Sequence, residues 1–390
     1  MEQKVVQCVP IRRDIVELED SKIVDVWHRG FALPELIMLA VGEGDLPTPK
    51  FIADAAYRSM LAGETFYTPK RGIVELRQSL AGYHRRHWGA EIADERIAIT
   101  TAGMNAMMVA METALGAGDN MVAVTPVWPN IFATAEIMGG EVRMVALGND
   151  GRGWKLDLDK LFAACDERTR VIYAASPGNP TGWIMPAEQQ LAVVKFCRRK
   201  NLWFIADEVY NRLVYDRPVA PSVLQVAQPD DPVIVVNSFS KTWAMTGWRL
   251  GWMVMPLGLA PVIDRLLEFN TSGGQTFLQR AGVAAIEEGE PFVAEQIARY
   301  RAGRDLVVQR LGGMRRVRVS PCEAAFYLMF QVDGEPDSYA LAMKLVDRAQ
   351  VGLAPGIAFG AGGEGHLRLC FAASPERLSR AMDRLEPFFS

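Results

Sequence analysis

The chain has 390 residues, of which 49% are hydrophobic and 23% are charged. This balance is typical of a folded globular protein and excludes a largely disordered one. The net charge of −4 gives no electrostatic reason to expect a nucleic-acid partner. The length exceeds what one ordinary core supports, so we expect a large domain with a smaller one, or two comparable domains.

The cysteines and the apolar stretches indicate the cellular compartment of the protein. The five cysteines, among them Cys8, never occur as CxxC. A disulfide framework, a zinc site or any other metal site is therefore not expected, and a reducing compartment fits. The first twenty residues contain no apolar signal core. The longest apolar stretch, residues 250–263, is broken by glycines and prolines. We expect a cytoplasmic protein with no membrane partner.

Strand-like and helix-like segments alternate through the middle of the chain. In order, they are a strand at 96–101, a helix at 104–115, a strand at 120–126, a helix at 131–140, strands at 141–147 and 170–177, a helix at 186–200, and strands at 202–210 and 233–239. Continuously apolar strands alternating with helices predict an α/β fold, with a mostly parallel sheet covered on both faces by helices.

The last third of the chain has a different pattern. A long helical stretch at 291–311 leads into the strand-like segments VRVSP and AAFYLMFQV, then a helix at 337–350, the strand-like GHLRLCFAA and a closing helix from 375. This order predicts a smaller α+β domain. We place the large domain at 47–285 and build the small domain from 1–46 and 286–390.

Residues able to bind a ligand follow the predicted strands. In doubly wound sheets, ligands bind beyond the carboxyl ends of the strands, so we expect these groups to converge. A helix starting after Gly103 offers free N–H groups to a phosphate, and Ser238 and Arg249 can add a hydroxyl and a charge. A buried Asp207 requires a cation, such as a protonated pyridine nitrogen. Lys241, with a lowered pKa, can form a Schiff base with an aldehyde.

Three further side chains complete the set. Trp128 can stack on a flat ring, and Asn179 and Tyr210 can hydrogen-bond a phenolate oxygen. Phosphate, pyridinium, phenolate, aromatic ring and aldehyde together describe pyridoxal phosphate.

The order of the motifs resembles a known family. In chain order they are VGEGDLPTP (41–49), YTPKRGIVELR (67–77), TAGMNAM (101–107), PVWP (126–129), SPGNPTG (176–182), DEVY (207–210), SFSKTWAMTGWRLG (238–251), APGIAFG (354–360) and HLRLCF (366–371). Together they resemble the class I/II aminotransferase family of fold-type I pyridoxal-phosphate enzymes, aspartate aminotransferase-like. The resemblance implies a large domain with a mostly parallel sheet and a smaller α+β domain.

The resemblance implies a role for each catalytic and ring-contacting residue. Lys241 matches the Schiff-base lysine, and Asp207 matches the aspartate paired with the pyridine nitrogen. Tyr210 and Asn179 match the groups that contact the ring oxygen. Trp128 matches the aromatic residue that stacks on the ring.

The resemblance also assigns the phosphate and substrate sites. Ser238, Arg249 and the backbone of Gly103 and Met104 match the phosphate site. Tyr67 matches a tyrosine that reaches the phosphate of the neighbouring subunit, which implies a homodimer.

Two residues match the substrate side of the family's site. Arg368 matches the arginine that grips the substrate carboxylate bidentately, and Gly42 matches a backbone contact near it. Asn179 is expected to contact substrate as well. The implied reaction moves an amino group from an L-amino acid to a 2-oxo acid with ping-pong kinetics.

Some alternatives stay open. A carbon–sulfur β-lyase uses the same site, and a non-catalytic sensor of the same fold is a distant alternative. Aspartate with 2-oxoglutarate is the first expectation for the substrates. Arg12, Arg13 and Arg29 are candidates for meeting an acidic side chain, although a solvated surface is favoured for all three.

The chain departs from the family pattern at a few positions. Gly44 stands in GEGDL where the family often has GEPDF. Ala102 stands where a second glycine or serine is usual, and Trp243 where a tyrosine is usual. His84 and His87, three residues apart on a charged helix, are interpreted as a solvated face and not as a metal site.

Overall fold

The computed structural model describes residues 11–31 and 33–390. Cys8 and the first ten residues, on which the expectation about a signal peptide partly depends, lie outside these ranges. Within the described ranges, no helix combines the length and apolar character needed to cross a membrane.

The strands form one large sheet, one smaller sheet and two short pairs. They are β1 Ile37–Met38, β2 Ile97–Thr100, β3 Asn120–Thr125, β4 Glu141–Ala146, β5 Gly148–Asn149, β6 Trp154–Lys155, β7 Thr169–Ala175, β8 Trp203–Asp207, β9 Val233–Ser238, β10 Gly251–Val254, β11 Val317–Val319, β12 Tyr327–Val332, β13 Val351–Gly352, β14 Ala354–Pro355 and β15 His366–Cys370.

Helices separate most of these strands. They are α1 Arg13–Val16, α2 Lys22–Gly30, α3 Lys50–Leu61, α4 Val74–Trp88, α5 Gly103–Ala114, α6 Asn130–Ile137, α7 Leu158–Ala163, α8 Ala187–Lys200, α9 Phe239–Thr242, α10 Ala260–Asn270, α11 Thr276–Glu288, α12 Glu290–Gly312, α13 Ser338–Ala349 and α14 Pro375–Phe389.

The large sheet has seven strands in the order β2-β10-β9-β8-β7-β3-β4. Adjacent strands run parallel from β9 to β4, whereas β10 runs antiparallel to its partners β2 and β9. The prediction of a mostly parallel sheet is confirmed. Strand β10 was not predicted, because its sequence reads as one broken apolar stretch with the residues that follow.

Both faces of this sheet are buried, which explains why its strands are continuously apolar. In β9, Val233 and Val235 pack into one core, while Ile234 and Val236 pack into the core on the opposite face. Helices α4, α8 and α11 contribute to the first core, and α5, α6 and α10 to the second. The carboxyl ends of the parallel strands therefore open at one edge.

The smaller sheet has four antiparallel strands in the order β11-β12-β15-β14. Its core includes residues of α13 and α14, as the predicted α+β domain requires. Helix α12 joins the two parts, since Val293 near its start packs with the large sheet and Leu311 near its end packs with the small one. Tyr210, which follows β8, also packs in the smaller core.

The interpretation of His84 and His87 as a solvated face is wrong. His84 is fully buried, and its Nε2 accepts a hydrogen bond of 3.2 Å from Trp252 Nε1. Burial lowers the pKa of His84 to about 3, so the ring is neutral. His87 Nε2 lies 3.2 Å from Glu290 in a partly buried cluster with Arg212. The side of helix α4 that carries His84 therefore faces the core, although the helix contains many charged residues.

Candidate active site

A cavity of about 420 Å³ opens at the carboxyl ends of the large sheet's parallel strands. The smaller sheet closes it from the other side. Among the predicted site residues, those that line it are Gly42, Gly103, Met104, Trp128, Asn179, Asp207, Tyr210, Ser238, Lys241, Arg249 and Arg368. Tyr67 is the predicted site residue that lies elsewhere.

Lys241 lies on the short helix α9, directly beyond β9. Its Nζ donates a hydrogen bond of 2.7 Å to the carbonyl oxygen of Gly42. Removal of this amine from water lowers the pKa of Lys241 to about 8, and the charges of Arg368 and Arg249 act in the same direction. A lysine whose pKa lies near neutrality is available as a nucleophile and as a base.

Asp207 is the last residue of β8 and is buried. It accepts hydrogen bonds from Tyr173 Oη at 3.1 Å and from the Val209 N–H at 3.2 Å. Burial raises the pKa of Asp207 to about 6, although both donors and Lys241 oppose the rise. Among the described residues, no cation lies within ion-pair distance of this carboxylate. The sequence did not identify Tyr173, because its position inside β7 reads as core.

Arg368 lies in β15 and is 2% exposed. Its Nη1 donates to Asn179 Oδ1 at 2.9 Å, and its Nη2 donates to the Ala40 carbonyl oxygen. The guanidinium carbon lies 4.5 Å from the ring centre of Tyr327 and 4.8 Å from that of Phe359. Its buried Nε has no hydrogen-bond partner among the residues that the structure describes. A guanidinium fixed between two rings, with donors to spare, suits bidentate binding of a carboxylate.

The opposite end of the cavity offers donors to an anion. Helix α5 begins at Gly103 without a side-chain cap, so the N–H groups of its first turn remain available. The Ser238 hydroxyl oxygen accepts a hydrogen bond from the Ser240 N–H at 3.1 Å. The exposed guanidinium of Arg249 belongs to a residue with a left-handed backbone, at φ 51°. This combination of N–H groups, hydroxyl and cation is typical of a phosphate site.

Tyr210 and Trp128 line the middle of the cavity. The hydroxyl oxygen of Tyr210 lies 2.7 Å from that of Tyr327, so the two share a hydrogen bond. Burial raises the pKa of Tyr210 well above its usual value, which keeps the phenol protonated and able to donate. Tyr327 was not predicted, since it belongs to a strand far along the chain.

Tyr67 is 92% exposed and does not line the cavity of its own chain. It lines a shallow surface depression together with residues 65–68 and 271–277. Phe66 and Phe269 are 82% and 83% exposed. Large exposed aromatic side chains of this kind mark a contact surface.

The residues around the cavity fit pyridoxal phosphate. Within residues 11–31 and 33–390, the buried Asp207 carboxylate has no ion-pair partner, and a protonated ring nitrogen would supply a cation. The amine of Lys241 and the uncapped start of α5 border the same cavity. The ring nitrogen, the aldehyde and the phosphate of the cofactor would therefore each find a suitable partner.

Comparison with known proteins gives the family. The sequence model described as aminotransferase class I and II matches residues 34–385. The chain belongs to this family. The aminotransferase is 31% identical over 379 residues to an aspartate aminotransferase of Pyrococcus horikoshii, with 96% of each chain covered. It is 32% identical to an arginine–pyruvate transaminase of Pseudomonas aeruginosa, with 93% of each chain covered.

A solved structure confirms the fold of the aminotransferase. The aspartate aminotransferase of Thermotoga maritima superposes with a TM-score of 0.90 at 31% identity, covering 97% of this chain and 99% of that one. Enzymes of this family use pyridoxal 5′-phosphate, and the aminotransferase is a pyridoxal-phosphate-dependent transaminase. The expected fold, activity and cofactor are confirmed. The match favours an aminotransferase over the carbon–sulfur lyase and the non-catalytic sensor.

Proposed function

We propose that Lys241, Asp207 and Arg368 carry the transamination of an L-amino acid and a 2-oxo acid in this cavity. The observation that supports this most is the convergence of the three side chains on one cavity from β8, α9 and β15. An amine with a pKa of about 8, a buried carboxylate and a buried guanidinium are the groups that this reaction requires.

The cofactor is held, in this proposal, by residues at each of its ends. Asp207 would pair with the ring nitrogen, Tyr210 and Asn179 would hydrogen-bond the ring oxygen, and Trp128 would stack on the ring. Ser238, Arg249 and the backbone of Gly103 and Met104 would hold the phosphate. When bound, pyridoxal phosphate supplies an aldehyde that condenses with an amine and a ring that accepts electrons from the substrate's α-carbon.

The protein's own residues then bind the substrate and move the proton. Arg368 binds the α-carboxylate in bidentate fashion, with Asn179 and the Gly42 backbone beside it. The amine of Lys241 would act as the general base that removes the proton from the substrate's α-carbon, and its protonated form would return that proton. Asp207 is ionised at neutral pH because its pKa of about 6 lies below 7, and it would keep a proton on the ring nitrogen. A 2-oxo acid reverses the path, which gives ping-pong kinetics.

We also propose a homodimer in the cytoplasm, in which Tyr67 reaches the phosphate of the neighbouring site. The exposure of Phe66, Tyr67 and Phe269 supports a contact surface there. Molecular mass in solution tests the dimer, and Tyr67→Phe tests the contact. We expect this variant to stay dimeric and to bind the cofactor more weakly. A monomer, or a variant with unchanged cofactor affinity, contradicts this part of the proposal.

The division into a large domain at 47–285 and a small domain from 1–46 and 286–390 remains a proposal. The separate cores of the two sheets support two domains. The packing of α12 on both cores makes that helix the connection between them. The names of the relatives do not decide the first expectation of aspartate and 2-oxoglutarate, because one relative is named for aspartate and another for arginine and pyruvate.

The experiment that tests the function follows the visible absorption of the cofactor-loaded protein. Single amino acids are added first, and a 2-oxo acid second. We expect the band to bleach with an amino acid and to return with the 2-oxo acid. Heat-unfolded protein with the same cofactor is the control. Release of pyruvate and ammonia without bleaching identifies a lyase instead, and a spectrum unchanged by every amino acid rejects the proposal.

A further inference from the structure

The cavity is bounded on one side by apolar side chains from the N-terminal part of the chain. Ile23, Val24 and Trp27 of α2, with Val41, form what we call the apolar wall. Val24, Trp27 and Val41 are 41%, 43% and 36% exposed. Large apolar side chains that line a cavity while exposed to water are typical of a surface that a ligand covers.

The cations that line the cavity each have a role in the proposed function. Among the described residues they are Lys241, Arg249 and Arg368. The amine reacts, Arg249 binds phosphate, and Arg368 binds the α-carboxylate. No lining cation in these ranges remains to bind a second carboxylate.

The other arginines considered for an acidic substrate lie outside the cavity and are paired. Arg13 Nε donates to Glu17 at 2.6 Å, and Arg29 Nε donates to Asp347 at 2.9 Å. Arg12 is paired with Asp14. These exposed pairs confirm the solvated surface that was favoured for all three.

An exposed carboxylate lies next to the cavity. Thr246, which lines the cavity, donates a hydrogen bond to the exposed carboxylate of Glu43. A carboxylate so placed repels an acidic substrate side chain.

The surface around Tyr67 is the part of a second copy that is proposed to reach this cavity. The surface around Tyr67 is lined by residues 65–68 and 271–277, and none of these is Lys, Arg or His. The neighbouring Lys70 and Arg71 are paired with Glu268 and Asp264. A partner that presents Tyr67 therefore brings no unpaired cation from these segments.

We propose that the aminotransferase selects amino acids with a large apolar side chain, of the leucine and phenylalanine class, and that this side chain packs against the apolar wall. The proposal rests on the proposed function, since it takes Arg368 as the site of the α-carboxylate. An apolar side chain gains by leaving water for this wall. A second carboxylate loses its hydration there without gaining a cation.

The first test measures binding of unreactive acids to the cofactor-loaded enzyme by calorimetry. The probes are 3-phenylpropionate and succinate, which share one carboxylate and differ in the rest. We expect 3-phenylpropionate to bind at least about ten-fold more tightly. Tighter binding of succinate overturns the proposal. Because binding needs no turnover, this result is independent of whether the enzyme transaminates.

The second test compares single-turnover bleaching by phenylalanine and leucine with that by aspartate and glutamate. Faster bleaching by the apolar pair supports the proposal, and faster bleaching by the acidic pair overturns it while leaving the proposed function intact. If no amino acid bleaches the band, the proposed function fails, and the calorimetry still decides the preference of the wall.

Substitutions at Trp27 test whether the apolar wall causes the preference for apolar substrates. Trp27→Ala is expected to lower kcat/KM for phenylalanine about ten-fold more than it lowers that for alanine. Trp27→Arg is expected to shift the preference toward aspartate. Leu257→Ala, which truncates an exposed apolar side chain away from the cavity, is the matched control. An equal effect of Trp27→Ala on phenylalanine and alanine overturns the proposal.

Discussion

The hydroxyl oxygens of Tyr210 and Tyr327 lie 2.7 Å apart, although the two residues are 117 positions apart in the sequence. Tyr210 follows Asp207, the last residue of strand β8 in the large sheet, and Tyr327 is the first residue of β12 in the small sheet. The pair joins the two sheets at the cavity. Neither hydroxyl can lose its partner without leaving a buried polar group unpaired.

This hydrogen bond predicts strong coupling between the two tyrosines. Tyr210→Phe and Tyr327→Phe should each lower the free energy of unfolding by about 1–3 kcal/mol, because each leaves the other hydroxyl buried and unpaired. The double variant should lose less than the sum of the single losses. Urea unfolding measures all three, with the exposed Tyr57→Phe as control. Strictly additive losses contradict the interaction.

Replacement of Lys241 should abolish turnover. Lys241→Ala removes the amine that reacts with the cofactor and moves the substrate proton, and we expect at least about a 10³-fold loss of kcat. The visible absorption band of the lysine-linked cofactor should disappear, while the affinity for the cofactor falls only modestly. Lys241→Arg, which keeps a cation that cannot be deprotonated, should be similarly inactive. Near-normal activity in either variant contradicts the mechanism.

Asp207 should make the cofactor-free protein less stable as the pH rises. Its folded pKa of about 6 lies above the ordinary value of 3.8, so the folded state holds this proton more tightly than the unfolded state. The contribution of Asp207 to stability is therefore present below about pH 4 and is lost as the pH rises toward 6. The loss is on the order of 3 kcal/mol.

Asp207→Asn tests this pH dependence. Without cofactor, the variant should melt at a higher temperature than the parent protein at pH 7.5, with a smaller difference at pH 5. In the loaded enzyme, the same change should lower kcat by about 10²-fold or more, since an amide cannot hold the proton on the ring nitrogen. Glu208, whose pKa burial raises to about 7, is present in both proteins, but the charge of Asp207 adds to this rise, so the comparison reports the two neighbouring carboxyls together. A difference in melting temperature that does not depend on pH refutes the assignment.

Ala102 should be a strained position. Its φ of 93° and ψ of 160° lie in a region that is essentially reserved for glycine. Ala102→Gly should raise the free energy of unfolding by about 1 kcal/mol, because strain of about 1–3 kcal/mol is relieved against an entropic cost of about 0.4–1 kcal/mol. Ala98→Gly, in the buried strand β2, should instead destabilise. Urea unfolding compares the two, and equal losses would falsify the strain.

The local parts of this structure were predictable because short sequence segments determine them. The run from Val233 to Val236 is buried on both faces and reads as a central parallel strand. The chemistry-bearing residues follow such strands within a few positions, as Asp207 and Lys241 do. Their convergence then follows from the sheet, since the carboxyl ends of parallel strands meet at one edge.

The parts that depend on distant segments were not predictable in the same way. Strand β10 forms through antiparallel pairing with β2 and β9. Its own run of apolar residues does not indicate this pairing. Tyr173 reads as core until its hydroxyl is seen to reach Asp207. Trp27 lines the cavity because α2 lies beside it. The sequence of a short amphipathic helix does not indicate which part of the protein the helix packs against. Charged residues of α4 likewise concealed the buried His84.

The hydrogen bond from Arg368 to Asn179 has a consequence for variation in the enzyme. Arg368 is anchored in the small sheet, whereas Asn179 follows a strand of the large one. The distance of 2.9 Å between Arg368 Nη1 and Asn179 Oδ1 therefore depends on the packing of both hydrophobic cores. A substitution deep in either core can tilt one sheet against the other and misalign the guanidinium without touching it. Adaptation to a new substrate can accordingly begin at residues that no ligand ever meets.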